Sequence, residues 1–146
     1  MNFGHPKATV LFAGNDLFIG ITPSQNSLTM DTNSQRAIAP SPMELLLVAL
    51  GSCTAVDVIG ILAKKRADVT EYRVEVRGER RDDHPRSYQK MELHHIVRGR
   101  NISERSLKHA IELSESKYCS VAATLRPTAE IVSSYELIEA EARENQ

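Results

Sequence analysis

Residues 42–66 read PMELLLVALGSCTAVDVIGILAKKR, and no other stretch of the chain restricts the fold so strongly. Ser41 can cap a helix, Pro42 suits its first position, and Glu44 puts an acid in its first turn. Lys64, Lys65 and Arg66 complement the carbonyl end of the helix dipole. The spacing predicts one helix of about seven turns. From Leu45 to Ala63 it is apolar on nearly every side, with Asp57 its one charge. A helix apolar all round has to be buried all round. Two arrangements would do that. Nineteen mostly apolar residues just reach the length of a bilayer span. Asp57, well inside the run, and the dilute stretch Gly51–Thr54 argue against it. The other arrangement is a central helix, with a sheet from the same chain on one face and a second copy on the other. The remaining chain is too short to wrap both faces, so a C2 homodimer is expected.

The whole chain has 146 residues, which fits a single domain, 1–146. Residues 7–13 and 16–22 read as strands joined by a tight turn at Gly14 and Asn15, and 27–32 as a third. The prolines and polar residues of 33–42 mark a loop, so 1–41 is a strand-and-loop segment ahead of the helix segment 42–67. In 69–81 Tyr72, Val74 and Val76 alternate with Arg73, Glu75, Arg77 and Glu79. In 88–98 Met91, Leu93, His95 and Val97 share a face. With a turn at 82–87 these make a hairpin, 69–98, with one wet face. A second helix is expected over 103–118, with Leu107, Ala110, Ile111, Ser114 and Tyr118 inward. A last strand is expected at 129–138, then a polar, frayed tail. This order is α+β rather than a regular alternation of strand and helix.

Charge and composition exclude several function classes. Eighteen Lys and Arg against nineteen Asp and Glu leave a net charge of −1, so neither nucleic acid nor an anionic membrane surface is an expected partner. The start of the chain lacks a basic stretch followed by an apolar run, and a cytoplasmic location is expected. No Cys-x-x-Cys, His-x-x-x-His or Glu-x-x-His spacing points to zinc, and no glycine-rich phosphate loop or Gly-x-Ser-x-Gly turn occurs. No metal and no cofactor are expected. Of the histidines, His94 and His95 are adjacent on a strand and face opposite ways; His95 reads as a satisfied core histidine.

The candidate chemistry lies in the only two cysteines, Cys53 and Cys119. Two are too few for a disulfide scaffold. Taken singly, each reads equally well as a buried small hydrophobe. Cys53 sits mid-helix among small residues, and Asp57, four residues on, shares its face. Such a carboxylate disfavours a thiolate unless a cation intervenes. Arg36, Lys117 and Arg126 are the candidate cations. Cys119 follows the second helix, and if it starts a helical turn the dipole would favour its thiolate.

The run 42–55, PMELLLVALGSCTA, followed 66 residues after Cys53 by Lys117-Tyr118-Cys119-Ser120-Val121, resembles the OsmC/Ohr family of osmotically induced and organic-hydroperoxide-resistance proteins, and most of all its YhfA-like branch. The resemblance extends over nearly the whole chain in element order. It implies antiparallel sheets packed on a long buried central helix, in an intertwined homodimer. It also implies thiol-dependent reduction of a small hydroperoxide. Cys53 matches the peroxidatic position, where the thiolate attacks the O–O bond, and Cys119 the resolving position, with the disulfide reopened by a dithiol reductant. Peroxidase members begin this helix with Pro-Glu-Gln-Leu, the Glu pairing with an activating Arg. Here Met43 stands in the place of that Glu and Glu44 in that of the Gln, and Cys-Ser-Val replaces the usual Cys-Pro. Glu44 and Arg36 are the candidates for the activating pair; Glu44 reads more readily as a helix-start acid. The alternative function is a non-enzymatic dimer that binds a small apolar ligand or senses redox state through its cysteines.

Overall fold

A computed structural model describes residues 4–143. Residues 1–3 and 144–146 lie outside it, and with them part of the N-terminal stretch read for a secretion signal and the end of the tail read as frayed. The chain divides into two compact units, one up to Leu46 and one from Leu47 onward.

The first unit is an antiparallel meander of β1 (Thr9–Gly14), β2 (Leu17–Ile21) and β3 (Ser27–Asp31). Its first turn lies one residue later than the sequence suggests. A bulge between Phe12 and Gly14 keeps Gly14 in the ladder opposite Leu17, and Asn15 and Asp16 take the two left-handed positions (φ 49° and 60°). Asn and Asp tolerate that region because their side chains bond locally. After β3, the buried Asp31 organises the loop. It accepts hydrogen bonds from Arg36 Nε and Nη2, at 2.9 and 2.8 Å, and from the amides of Asn33 and Ile38. The Arg36 guanidinium holds the Asp31 carboxyl far below the usual carboxylate range. Acid that protonates Asp31 therefore loosens this loop.

Helix α1 (Pro42–Lys64) opens on a reciprocal cap. The Ser41 amide donates to Glu44 Oε2 at 2.7 Å, and the Glu44 amide to Ser41 Oγ at 3.2 Å. Its other end closes at Arg66, held at φ 58°, where the Ala67 amide reaches Leu62 O and the Arg66 amide Ala63 O. That cap ends the helix a turn short of residue 67.

In the second unit β4 (Asp68–Arg80) and β5 (Tyr88–Arg100) form a long antiparallel hairpin. Helix α2 (Glu104–Leu113), a π-helical turn (Ser114–Tyr118) and helix α3 (Ser120–Leu125) lead to β6 (Glu130–Glu139). The expected antiparallel pairing holds as far as β5, but β6 adds to it in parallel. The intervening crossover is long enough to bring the chain back to the same end of the sheet, which a hairpin turn cannot do. The core gathers Val58 and Leu62 of α1, Val97 of β5 and Leu107, Ala110 and Ile111 of α2. Gly51 lets α1 close on the sheet: a Cβ there would come within 2.9 Å of Val76 Cγ2.

Within this chain α1 is buried on one stripe only: Leu50, Gly51, Thr54, Val58 and Leu62. Val48 and Val56, on another side, are 61 % and 68 % exposed, and Ile59 is exposed too. The burial all round expected of this helix is thus half supplied, because one sheet covers one face. By length and composition the helix could also cross a membrane.

Candidate functional site

The two cysteines sit on two elements that are bonded to each other, α1 and the π-helical turn, through Ser114 with Thr54 and Asp57. Cys53 lies on α1, half-buried, three residues beyond Leu50 and one before the buried Thr54. Cys119 ends the π-helical turn and caps α3. It is 4 % exposed. Both are free thiols, and Cys53 is among the groups that act electrostatically on Cys119.

The π-helical turn explains how Cys119 arrives there. The second helix does not run evenly over 103–118. After Leu113 the turn widens, and the Cys119 amide bonds to Ser114 O, five residues back, at 2.8 Å. The wider turn shifts the helical phase. Ser114 stays fully buried as expected, whereas Tyr118, expected inward, is half exposed with Lys117 Nζ 5.3 Å from its ring centre.

Cys119 Sγ accepts the Ala122 amide of α3 at 3.4 Å, a contact that favours a thiolate. Burial is the larger influence, and it pushes the thiol up to about 11, helped by Cys53 and Asp57. The expected gain from a helix start at Cys119 is real but loses to desolvation. No cation is among the groups acting on Cys119. Two candidate cations are engaged elsewhere: Arg36 with Asp31, and Arg126 through Nη1 with Glu115 O at 3.0 Å. Glu44, likewise, is held by the Ser41 cap, whose amide keeps its carboxyl below the usual range.

Thr54, Ser114 and Tyr72 had no chemical role assigned from sequence. Ser114 Oγ donates to Asp57 Oδ2 at 2.8 Å, and Thr54 Oγ1 lies 2.9 Å from Ser114 Oγ. Tyr72 Oη is 2.8 Å from His95 Nδ1, with the two rings stacked at 13°. Asp57 acts electrostatically on Tyr72 as well as on Cys119. The signals for Asp57 and Ser114 were a lone charge in an apolar helix and a serine on an inward stripe. His95 is fully buried but only half satisfied, since Nε2 has no partner among the described residues. Burial drives it down to about 4, so it is neutral at pH 7. Among the described residues no group of three or more His, Cys, Asp or Glu is placed to hold a metal.

A family model described as OsmC-like protein matches residues 32–134. Protein YhfA of Escherichia coli K12 is 43 % identical over 134 residues, 92 % of this chain and 99 % of that protein. A crystal structure of a hypothetical protein from Aquifex aeolicus is 34 % identical at a TM-score of 0.84, covering 94 % of this chain and 98 % of its own. An organic hydroperoxide resistance protein of Legionella pneumophila shares the fold at a TM-score of 0.67 and 10 % identity, covering 90 % of this chain and 96 % of its own.

Proposed function

The chain belongs to the OsmC-like protein family, and we propose that it is a thiol-dependent peroxidase that reduces small organic hydroperoxides through Cys53 and Cys119. The observation that carries this reading is the bonding of the turn that ends at Cys119 to the helix that bears Cys53, which brings two free thiols 66 residues apart in sequence into one neighbourhood. In the proposed cycle the Cys53 thiolate attacks an oxygen of the O–O bond. The bond breaks, the alkoxide takes up a proton and leaves as an alcohol, and Cys53 becomes a sulfenic acid. Cys119 sulfur then attacks Cys53 sulfur, releasing water and closing a disulfide, which a dithiol reductant reopens. The asymmetry of the pair suits these roles. Cys53 is the more accessible, while Cys119 is kept as a buried thiol until its partner is oxidised. This cycle needs a compartment that keeps thiols reduced, as the cytoplasm does.

The direct test is stoichiometric. One equivalent of an organic hydroperoxide added to the reduced protein should remove two titratable thiols per chain and yield an internal disulfide by mass spectrometry. Thiols that persist would overturn the reading. A second reading, redox sensing without turnover, is favoured by the engagement of both candidate activators elsewhere, Arg36 with Asp31 and Glu44 with Ser41. It predicts the same disulfide but no sustained consumption of reductant.

We also propose that the protein works as a homodimer. What supports this is the exposed apolar side of α1, Val48, Val56 and Ile59, which is costly to leave in water. Val56→Asp should weaken self-association at least tenfold in analytical ultracentrifugation, through burial of an unpaired charge. An unchanged sedimentation profile would refute the assignment of that face.

A further inference from the structure

Ser114 ties Cys119 to α1. Its hydroxyl donates to Asp57 Oδ2 at 2.8 Å. With that hydrogen committed, Ser114 Oγ can only accept from Thr54 Oγ1, 2.9 Å away, so the bridge runs Thr54 to Ser114 to Asp57. These two α1 residues are one and four positions beyond Cys53. At its other end Ser114 uses its carbonyl oxygen to accept the Cys119 amide at 2.8 Å, across the π-helical turn. The same residue therefore grips the helix that carries Cys53 and the backbone of Cys119. Ser114 and Thr54 are 0 % and 2 % exposed, so water does not compete for these bonds. A plain α-helical turn would close a residue earlier and set Cys119 at a different angle to α1.

We propose that the Thr54–Ser114–Asp57 bridge is a positioning device, which holds Cys119 against Cys53 and thereby sets how readily the pair closes a disulfide. This rests on the redox reading of the two cysteines. Holding two reacting sulfurs in place raises their effective concentration, and the dithiol–disulfide equilibrium measures that quantity directly. Against glutathione the reaction is balanced: the two protein thiols lose two electrons and two protons, the glutathione disulfide bond breaks, and two glutathione thiols form. None of the three bridge residues exchanges atoms with the reagent, so each acts only through geometry.

The experiment equilibrates the full-length protein with glutathione redox buffers and measures the fraction of internal disulfide. Ser114→Ala removes both side-chain bonds and should lower the equilibrium constant about tenfold, a shift of about 30 mV for this two-electron couple. Thr54→Val, close in shape, removes one bond and should give a smaller fall; it serves as the readout if Ser114→Ala does not fold. Asp57→Asn keeps an acceptor for Ser114 while deleting the charge, and should stay within about twofold of wild type. Equal constants in wild type and the foldable bridge variants would overturn the proposal, even if their melting temperatures differ, since a merely structural bridge moves stability alone. A similar change in Asp57→Asn and Ser114→Ala would also overturn it, by showing that charge rather than position is at work. A wild-type protein that forms no internal disulfide in any buffer would refute the redox reading itself, and the proposal with it.

Discussion

Turnover of an organic hydroperoxide with a dithiol reductant should fall at least a hundredfold in Cys53→Ser, to the level of the uncatalysed reaction. A serine hydroxyl is not ionised near neutral pH and does not displace alkoxide from a peroxide, so no slower version of the same step survives. Cys119→Ser should behave differently. Cys53 still forms its sulfenic acid, so the first equivalent of peroxide is consumed, but the internal closure is lost. Reductant must then reach Cys53 from solution, and steady-state turnover should drop about tenfold or more as an intramolecular step becomes a bimolecular one. Trapping with a sulfenic-acid reagent should label Cys53 strongly in this variant and weakly in wild type. Equal turnover in wild type and Cys53→Ser would end the peroxidase reading. Equal labelling in both backgrounds would remove Cys119 from the cycle.

Much of this site was legible in the sequence. Cys53 and Cys119 stood out as the only cysteines, and the resemblance to the OsmC/Ohr family implied that they act as a pair. Asp57 stood out because one carboxylate in an apolar helix has to be explained. The rest was hidden for physical reasons. A π-helical turn has no composition of its own, so Ser114–Tyr118 looked like the last turn of an ordinary helix. The pairing of Tyr72 with His95 depends on the register of β4 against β5, which places Tyr72 opposite Val97 and His95 opposite Val74. Period-two alternation shows that both face inward but not that they touch. The candidate cations failed in another way. Arg36 is equally good, by sequence, for a thiol or for a nearby carboxylate, and Asp31 with its converging amides is the stronger attractor.

The second large effect concerns acid. His95 is neutral in the folded chain, with its pKa held by burial down to about 4 against an ordinary value of 6.5. Between those two values the unfolded chain binds a proton that the folded chain refuses. Stability is therefore fully present above pH 6.5 and falls as pH drops through that window. A depression of this size corresponds to about 3 kcal/mol lost by pH 4. Asp31, Glu44, Asp68 and Glu92, whose pKa values are lowered by their partners, add loss in the same direction at the acid end. The histidine's share is isolated by His95→Leu. Urea unfolding at fixed protein concentration, at pH 7.0, 5.5 and 4.5, should show a wild-type slope steeper by up to one proton than that of the variant. At pH 7 the variant should differ by about 1 kcal/mol, since Tyr72 loses its bond to Nδ1 while the unpartnered Nε2 disappears. Parallel pH profiles would show that His95 is protonated without resistance in the native state.

The parallel pairing of β5 and β6 governs when the thiol pair can first exist. Cys119 belongs to the crossover between those strands, and the ladder they form joins Lys90 with Glu130 at one end and Gly99 with Glu139 at the other. Such contacts span some forty residues and are slow to form, because the intervening loop must be ordered before they return any stabilisation. A nascent or half-folded chain therefore carries Cys53 as an isolated thiol, open to mixed disulfides with whatever thiol is nearby. On the proposed redox reading the internal disulfide is then a mark of completed folding, and its yield in a refolding experiment should rise in step with the β5–β6 ladder rather than with the earlier β4–β5 hairpin.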